Sequence, residues 1–430
     1  MSQSNLSVAS RQWAEREPSA RFWNPADLIR HLTPLMQKGS CKVIGQPKND
    51  ITDPDIESDY PLTLGELTPV FDAPPVFDAK GNVETGGNIL VKGPNPQAPA
   101  YSMTHHSMSQ LCAMAQVPAS LVQERLGLRH PQLALDLLTT TLSDRKDDKV
   151  KVLIQRTGPN ASPQIRAITG VGYSRIWDRD IMRVLDQAMS HGWMIPPARP
   201  ADSSDPRIRP ATQADLLPGV GAGGGMGVSV GDPIAPAGCY YDDRSSFTLL
   251  VNPKRVIDTG DDNGGLWQAV MVGNSEVGGK PFWTLDCLLE GICGNHICWG
   301  VSAISKVKII HRGDAQYRWQ GELLKALDRY SEEDLTRQTE TIKAAKRLIL
   351  GADDKEVMET LYGNKRINLS QRVLLAGIEI AKKHTDASGA DPKSAWAMVE
   401  ALTRYSQLSP YADERHRIDV AAGVLLSMAS

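Results

Sequence analysis

The chain predicts an α+β protein: a mostly antiparallel sheet core with flanking helices, followed by an all-helical C-terminal unit. Three observations carry this. Residues 149–156 (KVKVLIQR) alternate and are rich in β-branched side chains, Gly158-Pro159-Asn160 supplies a turn, and residues 163–176 return as a second strand, a hairpin signal. Residues 246–251 and 266–272 repeat the strand pattern. From about Asp314 onward the apolar period is helical, with Trp319, Leu323, Leu327 and Tyr330 marking one stripe and Leu369, Val373 and Ile380 another.

The remaining elements follow in chain order. A short helix is expected around residues 25–37, with Asn24 as N-cap and Pro25 at its first position. Residues 45–100 carry nine acidic residues and three lysines among many prolines and glycines, so residues 1–100 read as an irregular, short-strand region. Helical periodicity appears at 107–115, 120–126 and 131–142. Asp178 can cap a helix with Ile181, Val184, Leu185 and Met189 on one face. Residues 195–238 hold eight prolines and a glycine cluster without hydrophobic period, which predicts a long loop between strands. The strand at 246–251 is expected to end at the Asn252-Pro253 turn, and the apolar stretch 282–301 to be buried. Asp391-Pro392 and Asp413 are expected to open the last two helices. The core then spans 101–312, with the 195–238 loop inside it, and the helical unit 313–430.

Composition narrows the classes. The chain has 430 residues, 41% hydrophobic and 23% charged, with a net charge of −3. No global field draws it onto nucleic acid or a membrane, so a nucleic-acid surface has to be a local patch. The N-terminus lacks a basic segment followed by an apolar one, and no apolar run approaches a bilayer span. The expectation is a cytoplasmic protein with reduced thiols and no membrane partner. Six cysteines (Cys41, Cys112, Cys239, Cys287, Cys293 and Cys298) are no disulfide framework.

Several clusters invite chemistry. Gly219, Gly221 and Gly224 match G-x-G-x-x-G, but neither a strand before nor a helix after supports a dinucleotide site. Cys287, Cys293, His296 and Cys298 fall within twelve residues. Their spacing is no recognised zinc pattern, and their apolar neighbours read as core. His105-His106 point to different helix faces and make poor co-ligands. Asp242, Asp243 and Glu276 lie near strand ends, where metal-dependent nucleases place carboxylates, and His296 completes the set a divalent metal would use. For Asp242-Asp243 a solvated turn is the favoured reading. Between Leu142 and Arg183 nine Lys/Arg stand against five Asp/Glu, a local net of +4. Lys149 and Lys151 share one strand face, Arg166 lies on the paired strand, and Tyr173, Arg175 and Trp177 follow. Cations interleaved with aromatics suit a surface that neutralises phosphates and stacks bases. The competing reading is a hairpin with lysines on its wet face.

Five stretches together resemble a phage/plasmid-like family, a domain-of-unknown-function family of phages, prophages and plasmids. They are MTHHSMSQLCAMAQVPASLVQERL (103–126), AITGVGYSRIWDRDIMRVL (167–185), DDRSSFTLLVNPKRVIDTG (242–260), GNSEVGGKPFWTLDCLLEGICGNHICWG (273–300) and SAWAMVEALTRYSQ (394–407). The Asn-Ser-Glu-Val-Gly block and the Cys-x-Asn-His-x-x-Trp-Gly block after it are the most specific. The resemblance implies a mobile-element setting in a bacterial cytoplasm and assigns no residue a role.

The expected function is nucleic-acid binding, with single-strand DNA handling in recombination or replication as its sharper form. Lys149, Lys151, Arg166 and Arg175 would meet phosphates, and Tyr173 and Trp177 would stack. No cofactor is predicted. The alternatives are a divalent-metal nuclease or hydrolase using Asp242, Asp243, Glu276 and His296, and an assembly or counter-defence protein. In the last, the helical unit would contact a host protein or a second copy.

Overall fold

A computed structural model describes residues 20–35, 59–81, 83–85, 88–95, 100–122, 130–155, 164–195, 206–216, 229–236, 238–257, 266–290, 298–299, 306–328, 332–383, 390–409 and 411–429. The fold is α+β, with antiparallel sheets and C-terminal helices.

The first half builds the smaller sheet. In chain order come β1 (Ala20–Phe22), α1 (Pro25–Leu35), β2 (Asp59–Thr63), β3 (Thr68–Phe71), β4 (Val76–Phe77), β5 (Val83–Thr85), β6 (Ile89–Lys92) and β7 (Ser102–Met103). Then follow α2 (His105–Met114), α3 (Pro131–Asp144), β8 (Lys149–Gln155) and β9 (Gln164–Gly170). The predicted hairpin is present as the antiparallel pair β8 and β9, within a sheet of order β2-β8-β9-β7 in which β7 joins β9 in parallel. Pro61 sits in β2, an edge strand, where its missing N–H leaves no ladder bond unmade. One face of this sheet, with Val150, Val152, Ile165 and Ile168, packs on Met108, Leu111, Leu138 and Leu142 of α2 and α3. The N-terminal stretch thus supplies edge strands to both sheets: β2 here and β1 below.

The second half builds the larger sheet. Its elements are α4 (Asp178–Ser190), β10 (Arg209–Pro210), β11 (Pro233–Ile234), β12 (Cys239–Tyr241), β13 (Ser246–Ile257), β14 (Leu266–Asn274), β15 (Phe282–Glu290), β16 (Cys298–Trp299) and β17 (Lys306–Ile309). Strand order is β1-β12-β13-β14-β15-β16, with β17 also on β15. Inside the expected loop at 195–238, β10 and β11 pair with each other. The strand beginning at Ser246 does not stop at Asn252-Pro253. It runs to Ile257 through a register shift between Val251 and Val256, which lets a proline sit in an interior strand. Leu250, Val270, Val272 and Phe282 face α1, α4 and α5 (Ala315–Asp328). Leu249, Met271, Trp283 and Leu285 form a second cluster on the opposite face.

Side chains paired across a sheet share a face, so register builds rows. One row crosses six strands: Arg21 pairs with Tyr240, Tyr240 with Phe247, Phe247 with Gly273, Gly273 with Trp283, and Trp283 with Lys308. Gly273 leaves room for the indole of Trp283 to lie over the strand, and a methyl there would overlap that ring.

The helical unit contains α6 (Glu332–Arg347), α7 (Asp354–Gly363), α8 (Gln371–Lys383), α9 (Ala395–Leu408) and α10 (Ala412–Leu426) around its own core, which includes Leu361, Leu374, Trp396, Leu402 and Leu425. Its caps differ from expectation by a few residues. Ser394, rather than Asp391, caps α9 by accepting from Ala397 N at 3.1 Å, because Asp391 is used in the preceding turn by Lys393 N. The last helix opens at Ala412, after Tyr411. Between α9 and α10 the Ser406 hydroxyl donates to Asp419 at 2.7 Å, and burial pushes the Asp419 carboxyl up to about 7.

Gly273→Ala is expected to destabilise the protein by about 1–3 kcal/mol through overpacking against Trp283. Gly170→Ala, where an added methyl meets open space, is the matched control. Chemical denaturation of both variants checks the difference.

Candidate functional site

The β14–β15 connection, residues 274–281, joins two features: a buried polar network at one end and an open cleft at the other.

Glu276 is the hub of the network. It is 2% exposed, and its Oε1 receives the guanidinium of Arg166. Its Oε2 accepts from the backbone N–H of Asp178 at 2.9 Å, and its main-chain carbonyl accepts from Arg175. Trp177, the N-cap of α4, offers no side-chain acceptor, so the Glu276 carboxylate answers an otherwise unpaired N–H at the positive end of that helix. The cap expected at Asp178 is therefore displaced. Asp178 is the first residue of α4, and its Oδ1 accepts from Ser246 Oγ at 2.6 Å and Asn274 Nδ2 at 2.8 Å. Burial raises its pKa above the usual carboxylate value, while Ser246, Arg166 and Asn274 act to lower it. Arg166 also lies over the Tyr241 ring, its Cζ 5.1 Å from the centroid.

The same segment is gripped from the small sheet. Gln110 donates to Val277 O at 2.7 Å and accepts from Ile168 N, so one amide ties α2, β9 and the connection together. Tyr173 donates to Ser275 O at 2.7 Å and stacks on His311 with centroids 4.8 Å apart. Gly278 turns the chain at φ +89°, a conformation that favours glycine. Burial pushes the imidazole of His311 down to about 4, with Arg175 adding to the shift.

This network redistributes the residues expected to bind phosphates. Arg166 and Arg175 are each 4% exposed and committed to Glu276. That removes them from a wet cationic face, because a buried guanidinium stays where its carboxylate holds it. Tyr173 and Trp177 are half-buried; Trp177 packs on Leu153, Ala167 and Val277, and the Arg175 guanidinium lies over both rings. Lys151 is half-buried and donates to Tyr173 O at 3.1 Å, while Lys149 is exposed. The six do not share one exposed surface.

The carboxylates expected to bind a metal are also dispersed in role. Asp242 Oδ1 accepts from the backbone N–H groups of Arg244 and Ser245, both at 2.8 Å, so the expected turn is present, but Asp242 is buried in it and not solvated. Asp243 faces His106 N at 3.3 Å and the Arg244 guanidinium at 3.9 Å. Glu276 belongs to Arg166. Among the described residues no group of three or more His, Cys, Asp or Glu side chains converges as a metal site. His296, Cys293, the side chains of Cys287 and Cys298, and the glycine cluster at 219–227 lie outside the described residues.

At its other end the connection enters a cleft of about 680 Å³ between the sheet and the helical unit. Lys280, Pro281 and Trp283 form one side with Lys308 of β17, and Arg366, Tyr411, Glu414, His416 and Arg417 form the other. Among the described residues four fixed cations thus line it against one carboxylate, Glu414, which lies 3.9 Å from Arg417. At its floor the His416 ring stacks on Trp283, with centroids 4.1 Å apart and planes 17° from parallel. No local pattern in the sequence marks these residues, because they are scattered along a span of more than a hundred positions.

No family model, curated protein or solved structure matches the chain.

Two outcomes test the network. Glu276→Gln is expected to cost about 3–5 kcal/mol, since it leaves a buried guanidinium uncompensated. Lys149→Ala should stay within about 0.5 kcal/mol of the parent by urea denaturation. For His311 the neutral form is favoured on folding. Stability is therefore fully present above about pH 6.5 and lost as pH falls toward about 4, on the order of 3 kcal/mol. His311→Asn should flatten that part of the stability–pH curve.

Proposed function

We propose that the protein binds single-stranded nucleic acid in the cleft between its larger sheet and its helical unit, in the mobile-element setting that its sequence blocks suggest. The observation that carries this reading is the lining: Lys280, Lys308, Arg366 and Arg417 around Trp283, Tyr411 and His416, with one carboxylate. Cations that track a backbone beside the aromatic faces of Trp283 and Tyr411 are the chemistry of sequence-tolerant strand binding, while His416 covers one face of Trp283. A volume of about 680 Å³ suits a nucleotide-sized group and is too confined for a duplex. The net charge of −3 agrees with a local patch in place of a global field. The metal-dependent alternative loses support because Asp242 and Glu276 are already spent on a turn and on Arg166.

The test is fluorescence anisotropy of labelled oligodeoxythymidine at several salt concentrations. The triple variant Lys308→Ala/Arg366→Ala/Arg417→Ala is expected to weaken binding and to reduce the slope of log K against log[salt] by about 2, at about 0.7 per lost single-strand phosphate contact. The pair Lys149→Ala/Lys151→Ala should leave both unchanged. A triple variant with parental affinity and slope would remove the cleft as the binding site.

A further inference from the structure

The cleft opens onto only one end of the six-strand row. Trp283 and Lys308 reach it, whereas Tyr240 and Phe247, on the neighbouring strands, do not. What lies over the rest of the row is the first turn of α10. Arg415 places its guanidinium 4.8 Å from the Tyr240 centroid and donates to the Tyr240 hydroxyl at 2.5 Å. His416 stacks on Trp283 at 4.1 Å and lies 5.9 Å from Phe247.

We propose that Tyr240, Phe247 and Trp283 form a latent base-stacking platform for a single strand, and that α10 is a displaceable lid whose Arg415 and His416 occupy the ring faces the bases would take. This rests on the cleft reading and extends it to the covered part of the sheet.

Four features carry the inference. The three rings are evenly spaced, with Tyr240 and Phe247 5.8 Å apart and Phe247 and Trp283 5.9 Å apart across Gly273. Successive bases can therefore meet successive rings, as in nucleic-acid modules that stack two or three bases on a sheet. The row is closed by a cation at each end, Arg21 on β1 and Lys308 on β17, and Arg21 also lies over Tyr240, its Cζ 5.8 Å from the ring centroid. The covering groups are planar: an imidazole nearly parallel to the indole and a guanidinium over the phenol. Finally, the helical unit keeps its core to itself, with no sheet residue in it. Because α10 gives Ile418, Ala421, Ala422, Leu425 and Leu426 to that core, the lid moves with the helical unit as a body, which exchanges polar and stacking contacts on the row without opening the core. A lid of this kind lowers apparent affinity by the fraction of molecules in which it is closed.

The experiment compares parent, Arg415→Ala/His416→Ala, and the same double variant carrying Phe247→Leu, which keeps apolar volume but removes the ring. Affinity and minimal saturating length are read with oligodeoxythymidines of graded length. The double variant is expected to bind about tenfold tighter and to saturate at a longer oligonucleotide, and Phe247→Leu to cancel both gains. Parental binding with no gain in the double variant overturns the lid and leaves the cleft standing. A gain that Phe247→Leu does not touch overturns the platform. No binding by any of the three removes the cleft reading and this inference with it. Hydrogen exchange of the parent protein supplies a readout that needs no variant. Added oligonucleotide should speed exchange at the N-terminal end of α10 while protecting β12 and β13, and slower or unchanged exchange at that end overturns the proposal.

Discussion

The carboxylate of Glu276 is the constraint around which the rest is arranged. One oxygen neutralises Arg166 from the small sheet, and the other accepts an N–H at the start of α4, which packs on the large sheet. A buried ion pair is weak evidence of net stability, because desolvation of both charges offsets most of their attraction. Its value here is positional. A carboxylate satisfied by a guanidinium, a helix terminus and the surrounding burial has one place to be, and the β14–β15 connection that carries it is held in that place. Arg175 and Tyr173 from the β9–α4 connection, and Gln110 and His106 from α2, then grip the carbonyls at 275–277.

With one end of the connection immobilised, the other end is aimed. Lys280 and Trp283 follow within a few residues and reach the cleft, where Lys308 and α10 meet them. Sheet register does the rest. Because Gly273 faces Trp283, the indole can lie across β14 and come within stacking distance of Phe247. A polar network, a glycine and a row of rings are thus consecutive consequences of one strand pairing.

The helical unit meets this framework through different physics. Its interior is apolar and closed on itself, while its contact with the row is one guanidinium and one imidazole on aromatic faces. A boundary held by stacking and a charge-assisted hydrogen bond can re-form in another arrangement at small cost, whereas a shared apolar core cannot.

Read alone, the sequence determined the elements whose signals are local. The β8–β9 hairpin, the helix capped by Asn24 and the helical character of the last third all follow from side-chain periodicity or a cap within a few residues. The turn at Asp242 was legible too, because it needs only the two following neighbours, whereas the burial of that carboxylate was not. Tertiary structure decided everything that depends on a distant partner. Arg166 and Arg175 look like surface cations until Glu276, about a hundred residues later, buries them. Pro253 looks like a strand end until β14 pairs past it through a bulge. The cleft joins Lys308 to Arg417, and the aromatic row joins Tyr240 to Trp283, through strand register and helix docking. The physical reason is that periodicity reports which face of an element is apolar, whereas the fate of a charge or ring depends on which other element arrives beside it.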